Sequence, residues 1–253
     1  MGLSVNSSTV LLGLAYAASL AGVALWLAAY ARHVPRAQAV IRALAWAAAA
    51  LAAAHLLAEA LLERRALFVG EADFLAAGAV GLLALAPMSE RGRASLVGPL
   101  ALALAALTHV WTARPAAAPA VPAQQTLLYA AQAGLHALGV GGCMAALLGT
   151  LGARDTRQGQ RPAEFASIAL MGVGFVLTAA WAWLNWGVAW RNDPRLNLMV
   201  AGWLCVVAGR FLRRDALEWG LAAEWAGVGL MLVGAFAADW IAAAWPGLSF
   251  VAW

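Results

Sequence analysis

Lysine is absent from this 253-residue sequence, and all 16 of its basic residues are arginine. Acidic residues are equally scarce, 12 in all, so charged side chains make up 11% of the chain. A soluble domain of this length exposes far more surface than so few charges can cover. Cysteine is nearly missing as well. Cys143 and Cys205 each lie inside an apolar run with no CxxC spacing, which argues against a disulfide framework or a thiol-redox role. Both read as small buried hydrophobes. Alternating β-branched patterning is missing too, and that argues against a transmembrane β-barrel. Metal-ligand spacings, nucleophile triads and P-loops are also lacking.

What the sequence does contain is apolar length. Hydrophobic residues make up 64% of the chain, and the mean hydropathy is +0.79. Alanine and leucine fill runs of about 20 residues, each enough to cross the hydrocarbon layer as a helix. Spans are predicted at Thr9–Ala31, Ala37–Leu62, Phe74–Met88, Leu96–Ala113, Thr126–Leu151, Phe165–Leu184, Leu196–Leu212 and Leu217–Trp240. The expected fold is therefore all-α, a polytopic bundle of about eight transmembrane helices, forming one integral membrane domain over residues 1–253. The third span is short and borrows from the amphipathic stretch before it. The first lacks the basic flank of a signal peptide and is expected to be retained.

The net charge of +4 does not form a nucleic-acid patch, because the arginines are scattered at span ends. They read as topology signals. Arg32, Arg36, Arg42, Arg91, Arg93, Arg154, Arg157, Arg161, Arg210, Arg213 and Arg214 fall on one side; Arg64, Arg65, Arg114, Arg191 and Arg195 fall on the other. The richer side is expected to be cytoplasmic, in the inner membrane, with both termini outside. Tryptophan is lopsided in the opposite sense. Trp111, Trp181, Trp183, Trp186, Trp190, Trp240, Trp245 and Trp253 gather near the outer interface, against Trp26, Trp219 and Trp225 near the inner one. An aromatic belt populates both faces, so the outer excess wants a further reason.

Two outer loops stand out. Residues 114–122 space three prolines through a connector that cannot be helical throughout. The other, within residues 181–196, places Trp186, Gly187, Trp190, Asp193 and Pro194 between two spans, with Trp181 and Trp183 just before and Arg195 just after. Neighbouring indoles suit a flat, apolar, polycyclic ligand, and Arg191 and Arg195 suit its carboxylates. The same residues also describe a capped interfacial turn, with Asp193 as helix cap and Pro194 at the first helical position. Residue types alone leave both readings open.

That segment resembles the tryptophan-rich motif of the CcsA/CcmC/CcmF superfamily, haem-handling membrane proteins of cytochrome c biogenesis, and most closely the CcsA (ResC) branch. Trp186, Gly187, Trp190, Asp193 and Pro194 occupy matching positions, with Asn192 where the last motif tryptophan would stand. Arg195-Leu196 is similar to the CcmC version, and Trp203 falls where the family places a tryptophan in the next helix. Residues 168–181 resemble the helix leading into the motif. His55 to Glu63, with Phe68 and Asp73, is similar to the family's histidine-bearing helix and the amphipathic turn after it. Pro246 to Phe250 resembles the closing motif.

The resemblance implies haem bound or presented at the outer tryptophan surface. Trp186, Trp190, Asp193 and Arg195 would form the platform, and apocytochrome c would be a partner. The departures lie in the histidines. Ser249 stands where the closing motif has His, Gln124, Gln125 and Leu128 where an outer helix end should carry another, and Phe211 where a transmembrane one belongs. Serine and phenylalanine do not ligate haem iron. His33 reads as a solvated loop residue. His55, His109 and His136 lie in spans, where an ionisable group is a functional candidate. His55 shares a helix face with Glu59, and a carboxylate-oriented histidine is a common ligand arrangement. His55 and His136 are the expected iron-binding pair, against the plainer reading of histidines hydrogen-bonded inside a bundle.

Two other classes stay in view. One is a derived, haem-free structural subunit of a larger respiratory or photosynthetic membrane assembly. The other is a small-molecule transporter, suggested only by the helix count and the buried acids Glu224 and Asp239. A quinone or a chlorophyll-type pigment would also fit a flat aromatic surface. The glycines at Gly139, Gly141, Gly142, Gly227 and Gly229 read as helix-packing positions.

Overall fold

A computed structural model describes residues 7–32, 37–62, 67–68, 71–89, 101, 103–108, 126–151, 161–190 and 193–236. Seven long helices account for most of them: α1 (Ser7–Arg32), α2 (Ala37–Leu61), α3 (Glu71–Ser89), α5 (Leu127–Leu151), α6 (Arg161–Trp186), α7 (Pro194–Leu212) and α8 (Leu217–Phe236). Helical residues 103–108 are α4. No strand occurs among the described residues. Six of the helices are long and apolar enough to cross a membrane, and α3 adds a shorter apolar run, Ala72–Met88. The chain is an all-α polytopic membrane protein. The described part of each expected span lies on a helix to within one residue, only residues 101 and 103–108 being described of Leu96–Ala113, and starts come up to four residues early at α6, where Arg161, Pro162 and Glu164 join the first turn.

Neighbouring helices pack in the series α1, α2, α3, α5, α6, and α7 pairs with α8. Helices α1, α3, α5 and α7 start at one end of the bundle and α2, α6 and α8 finish there, so the neighbours α3 and α5 run in the same direction and the bundle has two distinct ends. One carries Ser8, His55, Phe68, Tyr129, Trp181, Trp186 and Arg195, and is called the tryptophan end. The other carries Glu164, Arg210, Arg213 and Glu224, and is called the arginine end.

Small residues set the closeness of the packing. On α7 and α8, Gly202 faces Gly227, and Gly209 faces Gly220, each pair one heptad from the next. A Cβ on Gly227 would lie 2.5 Å from the Gly202 carbonyl oxygen, and one on Gly209 would lie 2.6 Å from that of Gly220. Dispersion between closely approaching backbones replaces the hydrophobic drive that lipid removes. Gly139, Gly141 and Gly142 make similar approaches to α6 and α3, so the packing role expected for them holds; Gly229 faces open space.

Alanine fills much of one core, where Ala45, Ala48, Ala79, Ala86, Ala101 and Ala145 surround Ile41 and Leu83. A second core joins α5 and α6 to the α7–α8 hairpin through Cys143, Met171, Met199, Val206, Val228 and Met231. Cys143 is buried and Cys205 partly so, and both are free thiols.

Candidate functional site

At the tryptophan end the sequence dictates where α6 stops and α7 starts. Helix α6 ends because Gly187 adopts φ +70°, a left-handed conformation that favours glycine, while its N–H donates to the Trp183 carbonyl at 2.9 Å. Helix α7 begins at Asp193, whose side chain accepts from the Arg195 N–H at 2.9 Å, with Pro194 in the first turn. Both features of the capped turn expected from sequence are present.

The turn fixes its rings. Trp181 is buried and meets Trp186 edge-on, centroids 4.5 Å apart at 85°. Trp190 is exposed, and its indole N–H donates to the Asn197 side-chain oxygen at 3.2 Å. Asn197 in turn sends its backbone N–H to the Asp193 carbonyl at 2.8 Å, so the ring is pinned to the first turn of α7. Trp183 is 61% exposed, and Arg195 is exposed in the first turn of α7. The indoles and Arg195 thus share one end of the molecule, and Asp193 acts there as a cap. Sequence reasoning passed over Asn197. The signal was available, an amide one turn into a helix whose cap separates it from a tryptophan.

The histidines are turned elsewhere. His55 is buried on α2, with Nδ1 2.9 Å from the Ser8 carbonyl oxygen of α1 and Nε2 3.8 Å from Glu59 Oε1. The expected carboxylate neighbour is there. His136 is buried on α5 and faces α6, where its ring lies 4.5 Å from that of Phe175 and against the bare Cα of Gly174. Its Nε2 has no hydrogen-bond partner among the described residues. The two histidines thus have different neighbours, α1 for His55 and α6 for His136. No group of three or more metal-ligating side chains occurs among the described residues.

His136 belongs to a seam between α5 and α6. One turn toward the tryptophan end, the buried Thr178 hydroxyl donates to Gln132 and also reaches the Gly174 carbonyl at 2.9 Å. One turn further, Tyr129 lies 5.2 Å from Trp181. Trp203, noted in the sequence, closes the other side, with its N–H on the Ile168 carbonyl at 3.1 Å and its ring 5.6 Å from Phe175.

The arginine end holds what sequence reasoning missed. Glu164, in the first turn of α6, accepts on one oxygen from Arg210 at 2.6 Å and Arg213 at 2.7 Å. Arg213 also reaches Glu224 of α8 at 2.6 Å. Glu164, Arg213 and Glu224 are buried, and Arg210 lies 4.1 Å over the Phe165 ring. Two positive and two negative groups thus neutralise one another across three helices. Both helix dipoles favour the placement, an acid at the start of α6 and bases at the close of α7. Arg210 and Arg213, read above as topology signals, are also internal ion-pair partners, while their neighbour Arg214 is exposed with its guanidinium 5.6 Å over the Phe211 ring. The clue in sequence was a glutamate at the edge of an otherwise apolar span.

The proline connector, His33, His109, Arg191, Asn192, Asp239, Trp111, Trp240, Trp245, Trp253 and the closing motif with Ser249 lie outside the described residues. No protein-family model, curated protein or solved structure matches the chain.

Proposed function

We propose that the chain is a divergent haem-handling membrane protein of cytochrome c biogenesis, which binds or presents haem at the tryptophan end. The observation that carries this reading is a ledge of indoles in the sequence between the Gly187 helix end and the Asp193 cap and just before it, with Trp183 and Trp190 exposed and Trp186 partly so. Large rings held in place while partly or wholly exposed offer a flat apolar face at little entropic cost. Haem in this reading is cargo. Its porphyrin face would rest on the indoles, and its propionates suit the exposed Arg195 guanidinium. Thioether chemistry would belong to the haem and its apocytochrome partner.

In this reading the tryptophan end faces the periplasmic side of the inner membrane. Arginine excess at the opposite span ends supports that orientation, and Ser7 and Phe236 would then lie near the outer surface. Full-length protein purified from haem-replete cells should show a Soret band, and Trp186→Ala with Trp190→Ala should abolish it. Protein that stays colourless in haem-replete cells, yet folds, overturns the reading.

One observation favours a second reading. Both His55 nitrogens are engaged, by Ser8 and Glu59, which suits a haem-free structural subunit of a larger membrane assembly. Colourless protein that co-purifies in a stoichiometric complex would select it.

A further inference from the structure

Through Tyr129, the Trp181–Trp186 pair connects to a contact that the haem reading does not use, Phe68 held by Asp73. Asp73 sits in the first turn of α3, 2% exposed, and its carboxylate accepts the Phe68 N–H at 2.8 Å. Phe68 has φ 63°, a conformation that a bulky side chain rarely adopts. Such a residue persists only where its surroundings over-determine it. Here three surroundings do so. Asp73 holds its N–H, the Tyr129 hydroxyl donates to its carbonyl at 3.1 Å, and its ring lies on α5 where Gly134 leaves room. A Cβ on Gly134 would stand 3.2 Å from that ring.

We propose that the Phe68 turn is a clasp that sets the attitude of the indole ledge, with Asp73 and Tyr129 as its positioning residues. The contacts run in series. Asp73 fixes Phe68, Phe68 anchors the Tyr129 hydroxyl, Tyr129 lies 5.2 Å from Trp181 at 51°, and Trp181 meets Trp186 edge-on. Closing the turn locally needs only Asp73. The bond from Tyr129 comes from 61 residues away, and its ring is the face against which Trp181 packs. A tyrosine whose hydroxyl is tied down cannot slide along that face. The significance for haem rests on the proposed function; the geometry of the clasp does not.

The full chain, labelled with fluorotryptophan in detergent micelles, provides the test by fluorine NMR. Resonances of Trp181 and Trp186 are assigned from single Trp→Phe variants. Tyr129→Phe removes one oxygen and should shift or broaden both resonances, while those of Trp46 and Trp219 stay in place. Asp73→Ala should do the same, and Asp73→Asn, whose amide oxygen still accepts, should restore the wild-type spectrum. Hemin affinity should fall several-fold with Tyr129→Phe and with Asp73→Ala, and hold at the wild-type level with Asp73→Asn. Unmoved Trp181 and Trp186 resonances in Tyr129→Phe overturn the clasp even where hemin binds. Moved resonances in a protein that never binds hemin uphold the clasp and remove the haem reading.

Discussion

The segment that joins α6 to α7 and the arginine end of this bundle satisfy their polar groups in opposite ways. Between α6 and α7 the needs are local. Asp193 caps its own helix, the Trp190 N–H reaches Asn197 seven residues on, and Gly187 closes α6 on Trp183. What remains over is apolar ring surface, facing out. At the arginine end the needs are met across helices, with α6, α7 and α8 each contributing charge and little of it exposed. Local satisfaction leaves a surface free to take a ligand. Mutual satisfaction consumes the groups in holding helices together. A membrane protein with few charges has placed its most concentrated set where it ties the α7–α8 hairpin to α6.

The sharpest way to break that contrast is to remove the shared cation. Arg213→Ala strips Glu224 of its partner and takes one of two from Glu164, leaving buried carboxylates uncompensated. Removing one partner of a buried pair is destabilising by about 3–5 kcal/mol, so a large fall in the melting temperature in detergent is expected. The double change Arg213→Leu with Glu224→Leu leaves Glu164 with Arg210 and should regain most of the loss, since apolar replacement of a whole pair is often neutral. A melting temperature unchanged in the single variant would show that the quartet bolts nothing.

Most of the fold was legible because its causes are local. Lipid demands helices whose backbone is satisfied internally, and runs of Ala and Leu mark them directly. The turn at Gly187 and Asp193 was equally readable, since a left-handed glycine and a cap with proline are short-range chemistry. The quartet was not. Glu164 lies 46 residues from Arg210 and 60 from Glu224, and nothing in a linear reading says that these three meet. Arginines at span ends answer equally well to topology. The surroundings of the histidines were hidden for the same reason. His55 and His136 share depth and residue type, but only the packing order of α1, α2, α3, α5 and α6 reveals that they face away into different seams.

Backbone contact is the next point of leverage, since the hairpin must be rigid for a bolt at one end to matter at the other. Gly227→Leu drives a side chain into the Gly202 carbonyl and Val206. Overpacking of this kind typically removes about 1–3 kcal/mol, less than loss of Arg213. Gly229→Leu on the open face of the same helix should be near neutral. Equal melting temperatures for the two variants would mean that α7 and α8 can part without consequence. Smaller again is the cap. Asp193→Ala loses one bond to the Arg195 N–H and should lower stability by about 1 kcal/mol, with Asp193→Ser recovering most of it.

The smallest expected effect on stability is at Trp190, and it sharpens the contrast most. The ring is 42% exposed, and one side-chain hydrogen bond to Asn197 holds it. Trp190→Phe keeps an aromatic face and removes that bond; stability should stay within about 0.5 kcal/mol of wild type, as for surface changes generally. Hemin binding should behave differently. If the ledge is a ligand surface, Trp190→Phe weakens hemin moderately by freeing the ring, and Trp190→Ala weakens it strongly by removing the face. Asn197→Ala should match Trp190→Phe, because it releases the same ring from the other side. Should Trp190→Ala instead unfold the protein while leaving hemin affinity of the survivors unchanged, the tryptophan end would be a structural join like the arginine end, and the division of labour between them would dissolve.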